Sequence, residues 1–290
     1  MGKKKVRNKI ERATTLDVFN IIILFILSAV MLLPIVYIFS TALKPLSELN
    51  LYPPRFFVRR PSMDNFRDLL FAVKLSVVPF ARYILNSFVV TIAVIGLTVT
   101  MSAMSAYALS KIRFPGSAAI MAIIIISLMF TPEAMSITRY LIVSRIGINN
   151  TYFGHIMPYL ALPVGVFLLK QFIDQLPNEL LEAARIDGAS DWGIFVKIAV
   201  PNVKPAIGTA AILAFQSVWN NTETSILYMT RESMKTLPYF IQTMTAGVTN
   251  VITRQGASAS AALIMLLPNL IIFLILQRSM MTTMVNSGIK

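Results

Sequence analysis

The sequence predicts an all-α integral membrane protein, on three observations. Charged residues make up 13% of the 290-residue chain and hydrophobic ones 56%, where a soluble domain carries about 25% charged residues. Mean hydropathy is correspondingly high, at +0.70. The charges are also clustered, leaving six long charge-free windows at 18–43, 83–110, 114–132, 146–169, 205–222 and 255–277. Each can cross about 30 Å of hydrocarbon as a helix of roughly 20 residues. A charge at the centre of such a helix costs about 3 kcal/mol, so the gaps carry physical information. A membrane β-barrel would instead show short alternating segments. The expectation is six transmembrane helices in one membrane domain over 17–290, preceded by a basic segment at 1–16.

The first window follows the run Lys3, Lys4, Lys5, Arg7, Lys9, Arg12. It is too long for the apolar core of a signal peptide and no small-residue cleavage site follows it, so it is expected to stay as an anchor. The basic run favours a cytoplasmic N-terminus by the positive-inside rule, and six spans return the C-terminus to the same side. Seven of the 26 Lys and Arg residues lie between Lys44 and Arg82, in a loop long enough to count for little in that rule. Pro45, Pro53, Pro54 and Pro61 favour turns and extended chain there, over the outer face.

The net charge of +13 comes from segments between spans with no aromatic-interleaved basic face, so lipid headgroups rather than nucleic acid are the expected partner. Absence of cysteine excludes disulfides, thiolate metal sites and thiol nucleophiles. Residues 236–253 are also charge-free, but their threonines are spread throughout. The 205–222 window holds a compact apolar block from Ala210 to Phe215, followed by Val218 and Trp219. The later stretch is therefore read as an external, partly amphipathic helix.

Between the fourth and fifth windows lies 174–204, too polar for lipid yet well organised for a loop. It reads as two short helices. Pro177 suits a first helical turn, Glu179 and Glu182 favour its positive end, and Gly188 is placed to end the helix with a positive φ. Leu176, Leu180, Leu181 and Ala184 share one face. Ser190 or Asp191 can cap a second helix, along which Trp192, Phe195, Ile198 and Ala199 form an apolar stripe that Pro201 ends. The result is a helical hairpin projecting into the cytosol, whose small residues leave room for another protein's groove.

Glu182, Ala183, Ala184, then Asp187-Gly188, with Ile198 and Pro201 further on, resemble the EAA loop of bacterial binding-protein-dependent ABC importer permeases. Val200 stands where that family usually has leucine. The resemblance covers most of the chain and is greatest to carbohydrate-uptake permeases of the maltose transporter type. Asn86-Ser87, Ala106 to Leu109, Arg113 to Gly116, Asn149 to Tyr152, Phe167 to Gln171, Trp219-Asn220 and the ending Ser287 to Lys290 all look familial. Asn221, Thr222 and Glu223 depart from the larger residues usual after the Trp-Asn pair.

Several expectations follow from the resemblance. The hairpin, with Glu182, Ala183, Ala184, Asp187, Gly188, Ile198 and Pro201, is a coupling element that docks into a cleft of an ATPase. The partners are a second homologous permease, two ATPases, an extracytoplasmic solute-binding protein and an oligosaccharide cargo, in a bacterial inner membrane. ATP and Mg belong to the ATPases, since this chain has no G-x-x-x-x-G-K-[ST] phosphate loop and binds no cofactor itself.

Asn86, Trp219, Asn220 and Asn221 can offer a stacking face and hydrogen-bonding groups to a sugar in the translocation path, although polar residues also join membrane helices. The basic loop, with Arg55, Arg59, Arg60, Arg67, Lys74 and Arg82, admits an acidic, uronate-type cargo by local focusing, as well as a plain solvated or protein-docking surface. A lone His155 in the fourth window reads as a satisfied structural residue rather than a metal site, which needs three or four ligands. The competing reading is a secondary transporter driven by protons or sodium, with His155, Glu133 or Glu223 in its relay. No paired intramembrane carboxylates or multi-His cluster suggest an enzyme.

Overall fold

The computed structural model describes residues 15–74, 78–247 and 251–288, with side chains over 19–69, 78–244 and 255–278; the whole basic run from Lys3 to Arg12 and the last two residues lie outside them. Among the described residues all regular structure is helical: α1 (Thr15–Ala42), α2 (Leu46–Leu49), α3 (Asp64–Lys74), α4 (Phe80–Lys111), α5 (Ser117–Ser127), α6 (Pro132–Ile146), α7 (Tyr152–Ile156) with the 3₁₀ turn Met157–Tyr159, and α8 (Pro163–Asp174). After these come α9 (Asn178–Ile186), α10 (Asp191–Ile194), a π-helical turn (Phe195–Ala199), α11 (Val200–Asn202), α12 (Lys204–Trp219), α13 (Glu223–Leu227), the 3₁₀ turn Glu232–Met234, α14 (Leu237–Gly247) and α15 (Val251–Gly288).

Phe19–Ala42, Phe80–Lys111 and Gln255–Arg278 are each long and apolar enough to cross a bilayer. Three more stretches are bent pairs: α5 with α6 by 113°, Tyr152–Tyr159 with α8 by 49°, and Asp191–Asn202 with α12 by 83°. Counting each pair as one span brings the number to six by length and composition.

Two windows thus differ from the continuous helices expected of them. The 114–132 window breaks at Leu128 because Thr131 and Pro132 start a new helix: Pro132 takes the first turn, where its missing N–H costs nothing, and Thr131 Oγ1 accepts the Ala134 N–H at 3.4 Å. The 146–169 window opens on Gly147, which ends α6 at φ +75°, and breaks again before Pro163. The 236–253 stretch contains α14, whose Leu237, Phe240 and Ile241 are buried. The 44–82 loop holds two helices, α2 and α3, besides the extended chain its prolines favour.

The chain divides into two compact units, one ending at Arg67 and taking in α15 up to Leu263, the other beginning at Asp68 and resuming at Ile264. In the first, α1 exposes apolar side chains from Phe19 to Val36, as a lipid-facing helix does, and buries Ser40, Thr41 and Ala42 at its end. Its last carbonyl, Ala42 O, accepts from buried Asn65 Nδ2 at 3.0 Å and from Ser260 Oγ at 3.3 Å. The loop after it is folded back on the helix end: Ser40 Oγ donates to Phe56 O and accepts from Val58 N, and the Glu48 carboxylate accepts from the Arg59 and Arg60 amides.

In the second unit α4, α8 and α12 pack on one another. The contact is made by Ala103 and Ala106 of α4, Leu169 and Ile173 of α8, and Ala206 and Ala210 of α12, all buried. Small residues let these backbones approach closely, which is how helices associate where burial in lipid offers no hydrophobic gain.

Candidate functional site

The polar segment at 174–204 folds as the two-helix hairpin its sequence suggests. The turn between its arms is a Schellman cap, in which Gly188 N–H bonds to Arg185 O and Ala189 N–H to Ala184 O, both at 3.0 Å. Gly188 holds φ +83°, a conformation L side chains rarely adopt. Pro177 stands at the N-cap of α9 rather than within its first turn. Of the two candidate caps for the second arm, Ser190 does the work, its Oγ accepting from Gly193 N at 3.2 Å. Asp191 instead pairs with Arg185 across the bend at 3.0 Å.

Pro201 does not end the second arm, which continues to Asn202. A proline ring would clash with the carbonyl four residues back. The preceding turn is widened into π-helix over Phe195–Ala199, and the arm stops at Val203.

The hairpin is seated rather than freely projecting. Leu181, Ile194, Phe195, Ala199 and Val203 are buried against Leu169, Phe172 and Ile173 of α8 and Ala103, Ala106 and Tyr107 of α4. Its base is held by Lys111 Nζ, which donates to Leu176 O at 2.7 Å and Asn178 Oδ1 at 3.0 Å, and by Ser110 Oγ, which donates to Asp174.

The seven residues singled out by the sequence separate by exposure. Glu182, Ala183, Asp187, Gly188 and Pro201 face solvent, whereas Ala184 and Ile198 pack against the core. Two large apolar side chains join the exposed set: Ile186 is 87% and Trp192 60% exposed. Trp192 thus departs from the apolar stripe expected along the second arm, and Leu180 from the shared face expected along the first, since both face outward as Ile186 does. Six residues apart, Trp192 and Ile198 lie about 120° from each other around a helix of 3.6 residues per turn, so they do not share a face.

At the other end of α12 lies a cleft of about 600 Å³, lined among others by Thr131, Glu133, Arg139, Tyr159, Asn221 and Glu223. The 16 residues of α12 rise about 24 Å between hairpin and cleft. Arg139 Nη1 approaches Glu223 Oε2 at 3.4 Å, with the guanidinium 5.9 Å from the centre of the Tyr159 ring. Asn221 Nδ2 donates to the Tyr159 hydroxyl, and Asn221 Oδ1 accepts from Thr224 N at 3.0 Å. Behind them the fully buried His155 places Nδ1 2.7 Å from Thr224 Oγ1, and its Nε2 donates to Met234 O at 2.9 Å.

Of the four path candidates, Asn221 alone lines this cleft. Asn86 is 0% exposed, donates to Ser233 O and Lys235 O and accepts from the Tyr152 hydroxyl, so it is a strut with no group free for a sugar. Trp219 is also buried, its Nε1 donating to Met265 O, with Phe215 stacked on it and Phe88 at its edge; no ring face is open. Asn220 is exposed outside the cleft lining. Nothing in the sequence sets Arg139 apart: its helix also carries Glu133 and Arg145, and its partner Glu223 stands in the polar run from Asn220 to Ser225.

The same struts hold the chain between α13 and α14. Tyr83 bonds Glu232, Ser87 Oγ accepts from Leu237 N, and Asn150 Oδ1 accepts from the amides of Thr230 and Arg231. Burial alone would lower the pKa of Lys235, but its bonds to Glu232 and the Tyr239 hydroxyl outweigh that and hold the ammonium above its usual value. Among the described residues no group of three or more His, Asp or Glu side chains stands close enough to hold a metal.

Apolar helices, bent helix pairs, a cleft between them and a structured polar hairpin define an α-helical membrane permease. The chain belongs to the binding-protein-dependent transport system inner membrane component family, whose model matches residues 8–279. It is therefore an ABC importer permease subunit, a transport component rather than an enzyme.

It is similar to the trehalose transport system permease protein SugB of Mycobacterium tuberculosis, 29% identical over 89% of this chain and 92% of that one. It resembles the arabinooligosaccharides transport system permease protein AraQ of Bacillus subtilis to the same degree, over 91% and 92%. To the sn-glycerol-3-phosphate transport system permease protein UgpE of Escherichia coli it is 30% identical, over 96% and 99%. Its fold matches a chain in the crystal structure of a bacterial ABC transporter involved in the import of the acidic polysaccharide alginate, with a TM-score of 0.77, 21% identity and coverage of 91% and 95%.

Proposed function

We propose that this subunit forms half of an ATP-driven path for an oligosaccharide and is driven by partner ATPases through the 174–204 hairpin. The observation that carries the reading is the hairpin itself: rigidly seated on α4 and α8, capped at Gly188, and presenting Ile186 and Trp192 to solvent. Two large exposed apolar residues on a polar, well-ordered turn suit a protein groove. ATP and Mg belong to the ATPases, a second permease supplies the other half of the path, and an extracytoplasmic binding protein delivers cargo. Both termini are assigned to the cytoplasmic side, with the hairpin.

Closure of the ATPases would move the hairpin as one body. Because α8 and α12 pack on each other and run from the hairpin to the cleft, that movement reaches the cleft wall without an added relay. Trehalose, arabinooligosaccharides and sn-glycerol-3-phosphate, named for the relatives, share a polyhydroxylated chemistry, and the cleft's polar lining suits it. The charged side chains lining it are two carboxylates, Glu133 and Glu223, and one guanidinium, Arg139. That balance favours a neutral sugar over a uronate chain.

The test is uptake of radiolabelled trehalose, maltotriose and arabinotriose by proteoliposomes holding the co-purified complex and its binding protein. ATP-dependent accumulation is expected. Uptake that needs no ATP, or that this chain performs alone, refutes the reading.

A further inference from the structure

We propose that Arg139 and Glu223 are the hydroxyl-reading pair of the cleft, bridging adjacent hydroxyl groups of a neutral sugar. The inference rests on the importer reading above and concerns what the cleft recognises.

The pair is slack and underused. Its N···O separation is 3.4 Å, against about 2.7–2.9 Å for a charge-assisted hydrogen bond. Two other pairs in the chain, Lys170–Asp174 and Lys235–Glu232, close to 2.7 Å. The second oxygen of Glu223, Oε1, is out of solvent and has no hydrogen-bond partner. A carboxylate can accept at about four positions and a guanidinium carries five N–H donors; this pair makes one long contact with each other. A pair that served to tie α6 to α13 would be short and saturated, because leaving charged groups unpaired away from water is costly.

Both side chains remain within reach of a ligand, at 20% and 29% exposure, on the wall of a cleft of about 600 Å³. A vicinal diol fits the vacancy, because each hydroxyl both donates and accepts: one donates to the carboxylate while its neighbour accepts from the guanidinium. The terminal torsion of a glutamate is broad, so a modest rotation brings either oxygen to the ligand. Tyr159, lying beneath the guanidinium and fixed by Asn221, supplies a flat face beside the diol. A phosphate or uronate would meet Glu133 and Glu223, and an apolar ligand would leave both charges unpaired.

The experiment is equilibrium dialysis of the purified permease–ATPase complex, without binding protein, against radiolabelled trehalose, maltotriose and arabinotriose and their O-methylated forms. The native complex is expected to bind at least one free sugar and to reject its O-methyl ether, which cannot donate to a carboxylate. Glu223→Ala should weaken binding by at least about tenfold, the size of one hydrogen bond to a charged group, and abolish the discrimination. The exchanged pair Arg139→Glu/Glu223→Arg separates recognition from packing. Weak binding in a complex that still assembles supports the proposal, whereas native binding would make the pair a structural tie and overturn it. Native complex that binds none of the sugars, or Glu223→Ala that binds and discriminates as the native does, also overturns it. Failure of ATP-driven uptake in the native proteoliposomes is a different result, since it removes the importer reading itself.

Discussion

Replacement of Gly188 isolates the role of the hairpin turn from the surface it presents. A Cβ built there meets nothing within 4 Å, so a substitution costs backbone strain and no collision. At φ +83° that strain is about 1 kcal/mol for alanine and close to 2 kcal/mol for β-branched valine, with asparagine the most tolerant. These energies shift the closed turn against opened forms by about fivefold for alanine and roughly thirtyfold for valine. Because Gly188 and Ala189 supply the two N–H groups that close the turn, opening it frees the tip carrying Ile186 and Trp192 from its seat. The expected result is a graded rise in ATP hydrolysed per sugar transported, in the order Asn, Ala, Val, in complexes that assemble in native yield. Equal and complete loss in all three would show that side-chain size at the docking surface decides the outcome. Native coupling in Gly188→Val would show that the turn need not be held at all.

Gly256→Ala should destabilise the protein by about 1–3 kcal/mol, because its Cβ would run into Asn65, which cannot swing away while it bonds Ala42 O and Lys44 O; thermal unfolding in detergent measures this, and an unchanged midpoint counts against that packing. His155→Ala removes partners from Thr224 and Met234 and should cost about 2–4 kcal/mol, while a protonophore should leave ATP-driven uptake unchanged; collapse of uptake by the protonophore would revive a proton relay. The Arg59 and Arg60 amides hold the Glu48 carboxyl below its usual pKa, so its contribution is complete above the free-carboxylate value of about 4.3 and disappears as pH falls through the lower folded value. Protection of those two amides, taken as exchange relative to the intrinsic rate at each pH, should fall over that acidic window in the native chain and be low throughout in Glu48→Ala; protection that does not change with pH in the native chain rules the clamp out.

The sequence by itself determined the solvent and the function class. Long windows without charge can only be lipid-spanning or deeply buried helices, because each backbone polar group must be satisfied locally; α4 and α15 contain two of those windows whole and α1 all but the last residue of a third. The hairpin was legible for an equally local reason: Gly188 and Ser190 act on backbone groups within a few residues of themselves. The breaks at Pro132 and Pro163 were local signals too, outweighed by reading charge alone.

Tertiary structure decided what residues far apart in the chain do together. Whether Asn86 meets a sugar or Ser233, and whether Trp219 offers a face or is buried with Phe215 stacked on it and Phe88 at its edge, depends on partners that no spacing specifies. Arg139 and Glu223 stand 84 positions apart. They meet on one cleft wall only because α6 turns back from α5 at 113° and the chain beyond α12 brings Asn221 and Glu223 to the same cleft. Composition and period fix which segments enter the membrane and how each begins and ends. The direction of a polar side chain within it is settled by whichever buried partner the packing of helices brings within hydrogen-bond distance.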